Sequence, residues 1–220
     1  MALNEWTTNQ KLRDFVEDYV QLMKPERIHL CDGTPEESEF LTKQMIRTGT
    51  LVPLNPKKRP GSYLARSDPG DVARVEKQTV ICAPSKDDVG PTNNWADPVK
   101  TREKMRTLYD GCMAGRTMYV VPYSMGPVGS ELSFNGIEIT DFPYVVQSMK
   151  VMSRMGTPAK KDLEKRGDFV PGGGFVDFFL YRLTCCDCST FGWCSIKTWS
   201  GRCPMACEFQ QTHHSLSSNE

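Results

Sequence analysis

Apolar positions recur at intervals of three and four near the start of this chain. Further on they alternate or form short unbroken runs. Leu12, Phe15, Val16, Tyr19, Val20 and Met23 lie on one face at helical spacing, with Thr7 or Thr8 as the expected cap and Pro25 as the stop. Arg27 to Cys31 alternates like a short strand. Asp32-Gly33-Thr34 then turns into a helix running to about Arg47 and ending near Gly49. Thr34 and Glu37 have the spacing of a capping box. Residues 53 to 62 are rich in proline, lysine and glycine and read as a loop. Tyr63-Leu64-Ala65 and Thr79-Val80-Ile81-Cys82 read as strands. Residues 84 to 98 form a second loop, with Trp95 as an anchor. Asp97 or Thr101 starts a helix that carries Val99, Met105 and Leu108 and ends at Asp110-Gly111.

The stretch from Gly115 to Gly156 organises the rest. Met118 to Val121 has the composition of a buried strand, and Pro122, which has no N–H to donate, is expected to end its regular ladder. Gly126-Pro127 and Gly129-Ser130 predict an irregular turn, and Gly136 to Thr140 predicts a half-exposed strand. After the Asp141-Phe142-Pro143 turn, Tyr144 to Met152 reads as a mostly buried helix ending at Gly156. Its methionines are core filler rather than ligands. No internal repeat is present.

Charge adds one candidate site. Arg66, Asp68, Asp71, Arg74 and Glu76 gather around the dense turn Arg66-Ser67-Asp68-Pro69-Gly70-Asp71. Two readings stand side by side. One is a solvated loop of mutually paired charges, worth little stability. The other is an anion site in which an arginine fork grips a carboxylate or phosphate.

Composition bounds the partners. In 220 residues, 27 basic and 27 acidic side chains cancel, so neither nucleic acid nor an acidic membrane surface is a bulk partner. No apolar run approaches the ~20 residues that span a bilayer. Glu5, Asp14 and Glu17 near the start argue against a leader peptide, which leaves a soluble cytoplasmic protein as the expectation. Cys31, Cys82 and Cys112 are the only cysteines before residue 185, a usage that suits a reducing compartment.

Four segments, in one order, carry a family resemblance. They are His29-Leu30-Cys31-Asp32-Gly33, the run Arg66-Ser67-Asp68-Pro69-Gly70-Asp71-Val72-Ala73-Arg74-Val75-Glu76, the run Gly115-Arg116-Thr117-Met118-Tyr119-Val120-Val121-Pro122-Tyr123-Ser124-Met125-Gly126-Pro127, and Ser153-Arg154-Met155-Gly156. From about Asn9 to Phe169 the chain closely resembles the N-terminal part of GTP-dependent phosphoenolpyruvate carboxykinase. The resemblance implies an α/β lobe with a mixed sheet. It implies an enzyme family that decarboxylates oxaloacetate and phosphorylates the enolate to phosphoenolpyruvate, an early step of gluconeogenesis, with GTP and manganese (with magnesium) as cofactors. It assigns Arg74 to the substrate carboxylate and associates Glu76 with closing a mobile lid; Arg66 stays structural. A monomer is expected.

The family pattern departs near Phe169. No Gly-x-x-x-x-Gly-Lys-Ser/Thr phosphate loop is present, and the only histidines are His29, His213 and His214. The expected layout is therefore an extension over residues 1–8, the family's N-terminal domain over 9–170, and an aperiodic cysteine-rich tail over 171–220. Taken alone, such a chain is a truncated lobe expected to be inactive. The tail opens Gly172-Gly173-Gly174 and shows no period of 2 or 3.6, so it is expected to be poorly ordered. A structural zinc site is the competing reading, with Cys185-x-x-Cys188 and Cys203-x-x-x-Cys207 at suitable spacing and His213 and His214 as spare ligands. Two alternatives to the enzyme follow: a non-catalytic carboxylate-binding module using Arg74, and a zinc-binding interaction protein using the tail.

Overall fold

The computed structural model describes residues 3–65, 79–89, 94–174, 181–184 and 194–198. A short helix, α1 (Leu3–Trp6), precedes α2 (Gln10–Met23). The cap of α2 is Asn9, whose Oδ1 accepts from the Leu12 N–H at 3.1 Å. The threonines expected there work elsewhere: Thr7 Oγ1 donates to Glu164 at 2.7 Å and accepts from the Asn9 N–H. Lys24, in the left-handed conformation, closes α2 just before Pro25. Strand β1 (Arg27–Leu30) and helix α3 (Pro35–Arg47) follow, with Thr34 capping α3 as its spacing predicts.

Strands β2 (Leu51–Pro53) and β3 (Tyr63–Ala65) pair across the proline-rich loop. Beyond them come β4 (Thr79–Cys82), a turn of 3-10 helix at Lys86–Val89, β5 (Asn94–Ala96) and α4 (Pro98–Tyr109), which Asp97 caps. Trp95, expected as a loop anchor, does anchor, donating from Nε1 to the Ala83 carbonyl at 2.8 Å. It does so from a strand, paired parallel to β4, and not from a loop. In α4 Met105 and Tyr109 are buried, whereas Val99 and Leu108 face outward.

The main sheet is built on β6 (Thr117–Met125) and β7 (Phe134–Thr140). Helix α5 (Pro143–Met152), the two-residue strand β8 (Arg154–Met155), helix α6 (Thr157–Arg166) and strand β9 (Val170–Gly174) complete it. Strand order is β1–β6–β7–β9, with β8 also pairing to β6. The β1–β6 and β7–β9 pairs are parallel and β6–β7 is antiparallel, so the sheet is mixed, as expected. A second sheet joins β5 and β4 to the backbone of β11 (Cys194–Thr198) and β10 (Tyr181–Thr184). The expected zinc ligands Cys185, Cys188, Cys203, Cys207, His213 and His214 lie outside the described residues.

Three further expectations need correcting. Pro122 does not end β6; the strand runs three residues further, with Pro122 opposite Ile137. In an antiparallel pair alternate residues exchange no hydrogen bonds with the neighbour, so a strand can carry proline at such a position. The Pro122 carbonyl is still used, accepting from the Gly156 N–H at 2.8 Å. Strand β7 is not half-exposed, because β9 covers its free edge and Ile137, Ile139 and Thr140 are fully buried. Helix α5 is less buried than its composition suggests, since only Pro143, Val146 and Gln147 are buried along it and Val151 is exposed.

Alternation along β6 divides the core. Met118 and Val120 pack with Leu12, Val16 and Met23 of α2, Met105 of α4 and Leu163 of α6. Tyr119 and Val121 point the other way, against Leu41 of α3, Val146 of α5 and Met155 of β8. A strand buried on both faces loses the apolar–polar alternation of an open sheet, which is why its sequence reads as a continuous apolar run. Each fully buried side chain of this size stabilises the fold by about 1.5–3 kcal/mol.

Candidate functional site

Three of the four family segments meet at one place. His29 to Leu30 lies in β1, paired to β6 through Ile28–Met118, His29–Tyr119 and Leu30–Val120. The Cys31 N–H extends that ladder to the Val120 carbonyl at 2.9 Å. Tyr123 and Ser124 at the far end of β6 pair with Met155 and Arg154. The chain then returns to the first segment: the Thr157 N–H donates to the Asp32 carbonyl at 2.9 Å. Gly156 makes this approach possible. Its φ is +87°, and a Cβ there would lie 2.0 Å from the Asp32 carbonyl oxygen.

Glu37 organises the turn between β1 and α3. As the third residue of α3 it was expected to reach back to the cap residue, and it reaches further. Its Oε2 accepts from the Gly33 N–H at 2.8 Å, and its Oε1 accepts from the Asp32 N–H at 3.2 Å and bonds His29 Nε2 at 2.6 Å. The Cys31 thiol also lies against it; burial, then the Glu37 charge, push that thiol well above its ordinary range. Tyr119 sits edge-on to the His29 ring and shares a hydrogen bond with Gln44. On the other side of the turn, Lys150 Nζ donates to the Thr34 carbonyl at 3.0 Å and Ser38 Oγ donates to Gln147 at 2.8 Å, tying α5 to the start of α3.

The glycine-bounded loop after β6 rests on a buried polar network. Ser124 Oγ and Ser133 Oγ are 2.7 Å apart, and Asn135 Nδ2 donates to Asp162 Oδ2 at 2.7 Å. Ser133 reaches the same carboxylate at 3.3 Å, and Arg166 Nε pairs with it at 3.0 Å. The Arg166 guanidinium also donates to the Ser130 and Ser133 carbonyls. Hydrogen bonding from Asn135, followed by the Arg166 charge, holds the Asp162 carboxyl below its usual range. Gly126, at φ +89°, passes so close to the Leu132 carbonyl that a Cβ would fall 2.6 Å from it. Sequence reasoning found the loop but neither Asp162 nor Arg166, because α6 was not foreseen. Gly156, Pro158 and Gly167, which bracket α6, were the available signal.

Arg74, Glu76 and Arg66 lie outside the described residues, between the end of β3 at Ala65 and the start of β4 at Thr79. The structure thus brings together the first, third and fourth family segments and leaves the second to the sequence. Among the described residues one His/Cys/Asp/Glu group has its donor atoms close together: His29, Cys31 and Glu37. Its thiol is a soft donor, whereas manganese prefers oxygen ligands, so the group does not fit that ion. Also among the described residues, no helix is long and apolar enough to cross a membrane.

The lobe so defined is a recognisable domain. The sequence model of the phosphoenolpyruvate carboxykinase N-terminal domain family matches residues 14–173, and the chain belongs to that family. It is 48% identical over 166 residues to the phosphoenolpyruvate carboxykinase (GTP) of Corynebacterium jeikeium, an alignment covering 76% of this chain and 27% of that protein. The enzymes of the same name from Chlamydia muridarum and Neocallimastix frontalis are each 47% identical, over 162 and 163 residues, covering 74% of this chain and 27% of theirs. The chain therefore spans about a quarter of the length of the curated relatives it matches.

Proposed function

We propose that this chain is the substrate-gripping lobe of a GTP-dependent phosphoenolpyruvate carboxykinase, acting in the conversion of oxaloacetate to phosphoenolpyruvate in the cytoplasm as part of a monomer. The observation that carries the reading is the meeting of three family segments around Gly156 and Asp32, a close backbone approach on which each segment depends. Arg74 binds the substrate carboxylate. Its planar guanidinium can hold both oxygens at once, which a lysine cannot. Glu76, two residues later, supports closure of a lid. Arg66 holds the turn.

GTP and manganese belong to the chemistry of the relatives' family. These 220 residues contain no phosphate-loop pattern, and the one donor cluster among the described residues includes a thiol that suits manganese poorly, so neither group is given a place on this lobe. The lobe by itself grips substrate and does not turn over.

The test is a chimera in which residues 14–173 of this chain replace the matching segment of the Corynebacterium jeikeium enzyme. Phosphoenolpyruvate formation from oxaloacetate and GTP is expected. A chimera that folds and binds GTP yet forms no product would overturn the reading.

A further inference from the structure

The cluster at the β1–α3 turn has chemistry that the carboxykinase reading does not use. His29 and Cys31 are two residues apart at the end of one strand, so their side chains project from the same side of the backbone. Glu37 faces them from the first turn of α3, its position fixed by the Thr34 cap. The imidazole, thiol and carboxylate donor atoms all lie within 4.8 Å of one another. The spacing His-x-Cys-x-x-x-x-x-Glu puts all three ligands on one strand–turn–helix unit.

We propose that His29, Cys31 and Glu37 form a three-ligand site for a zinc-class divalent cation. One nitrogen, one sulfur and one oxygen donor suit a borderline ion; magnesium and calcium, which prefer oxygen alone, would reject the thiolate. Two anionic ligands neutralise the dication, so the largely buried site carries no net charge. Bonds of about 2.0–2.3 Å in a tetrahedron separate the ligand atoms by about 3.3–3.7 Å. The donor atoms lie within 4.8 Å of one another, so binding draws the wider separations in. It also opens the 2.6 Å His29–Glu37 contact by about an ångström. The His29 side chain can supply it, because it is 32% exposed, whereas that of Glu37 is 6% exposed and pinned. The same exposure leaves an access path and room for a fourth, water ligand. A second layer of support is in place: the Asp32 and Gly33 N–H groups hold the Glu37 carboxylate, and Phe40 and Tyr119 flank the His29 ring. The bound ion would fasten the end of β1 to the start of α3, beside the contact where the three family segments meet.

The experiment titrates cobalt(II) into the full chain with Cys185, Cys186, Cys188, Cys194, Cys203 and Cys207 all changed to serine, which removes the tail as a competitor. A thiolate-to-cobalt charge-transfer band saturating at one equivalent is expected. It should vanish in Cys31→Ser and weaken at least about tenfold in affinity in His29→Gln. His29 is exposed enough for that variant to keep the fold, as its far-UV circular dichroism will report, so it decides the matter if Cys31→Ser fails to fold. Absence of a thiolate band, a band unchanged by Cys31→Ser, or unaltered affinity in His29→Gln would each overturn the proposal and leave the cluster a hydrogen-bonded brace.

Discussion

Replacing Gly156 with alanine should be among the most damaging single-methyl changes available in this lobe. The residue sits at φ 87° and ψ −149°, a region that is essentially reserved for glycine and costs other residues about 1–3 kcal/mol. The added Cβ would lie 2.0 Å from the Asp32 oxygen, 2.3 Å from its carbon and 2.6 Å from the Gly33 nitrogen. All three are backbone atoms, so no side chain can swing aside. Relief requires the two segments to separate, loosening the Gly156–Pro122 and Thr157–Asp32 hydrogen bonds, which are worth about 0.5–1.5 kcal/mol each. The expected total is about 3–5 kcal/mol, a fifth or more of the stability of an ordinary domain. Gly167 is the control. It is also left-handed, at φ +78°, but a Cβ there would meet nothing within 4 Å, so Gly167→Ala should cost about 1–2 kcal/mol. Urea unfolding of both variants, compared at equal slope, separates overlap from backbone strain. If the two variants fall within about 1 kcal/mol of each other, the close approach between the family segments is not as described.

Two other perturbations have definite expected results. The Asp162 carboxyl is held below its ordinary value of 3.8 in the folded state, so its contribution is fully present above that pH. As pH falls below about 3.8, the unfolded chain takes up the proton first and the contribution is lost. Asp162→Asn should therefore lower stability near neutrality while flattening this acid-labile component. Equal losses at neutral pH and at about pH 3 would contradict the assignment. The 220-residue chain alone, given oxaloacetate, GTP and manganese, should form no phosphoenolpyruvate in a coupled assay, because the phosphate-loop pattern is missing from its sequence.

What the sequence disclosed was mostly local. The Thr34 cap, the helix ending at Arg47, the strand at Met118–Val121 and the Gly126 turn each depend on residues within a few positions of one another. What stayed hidden was set by distant partners. Glu37 looks like a routine capping-box residue until β1 delivers His29 and Cys31 to it. Asp162 and Arg166 lie on a polar helix with few buried positions, and their partners Asn135 and Ser130 are 27 and 36 residues away. Strand β5 is three residues long within a loop-like composition and exists because β4 offers it an edge. The family resemblance was legible because it rests on short matched runs, which need no knowledge of how those runs meet.

The central claim is that Arg74 grips the substrate carboxylate, and steady-state kinetics on the chimera test it most directly. A charge-assisted bidentate contact is worth about 1.5–3 kcal/mol, so Arg74→Ala should lower kcat/KM for oxaloacetate by roughly tenfold to a hundredfold or more. Arg74→Lys should recover part of this, since the charge remains and the fork is lost. GTP affinity and the kinetics of Arg66→Ala should stay near those of the unsubstituted chimera. A well-folded Arg66→Ala enzyme that fails, beside an Arg74→Ala enzyme that works normally, would contradict the account.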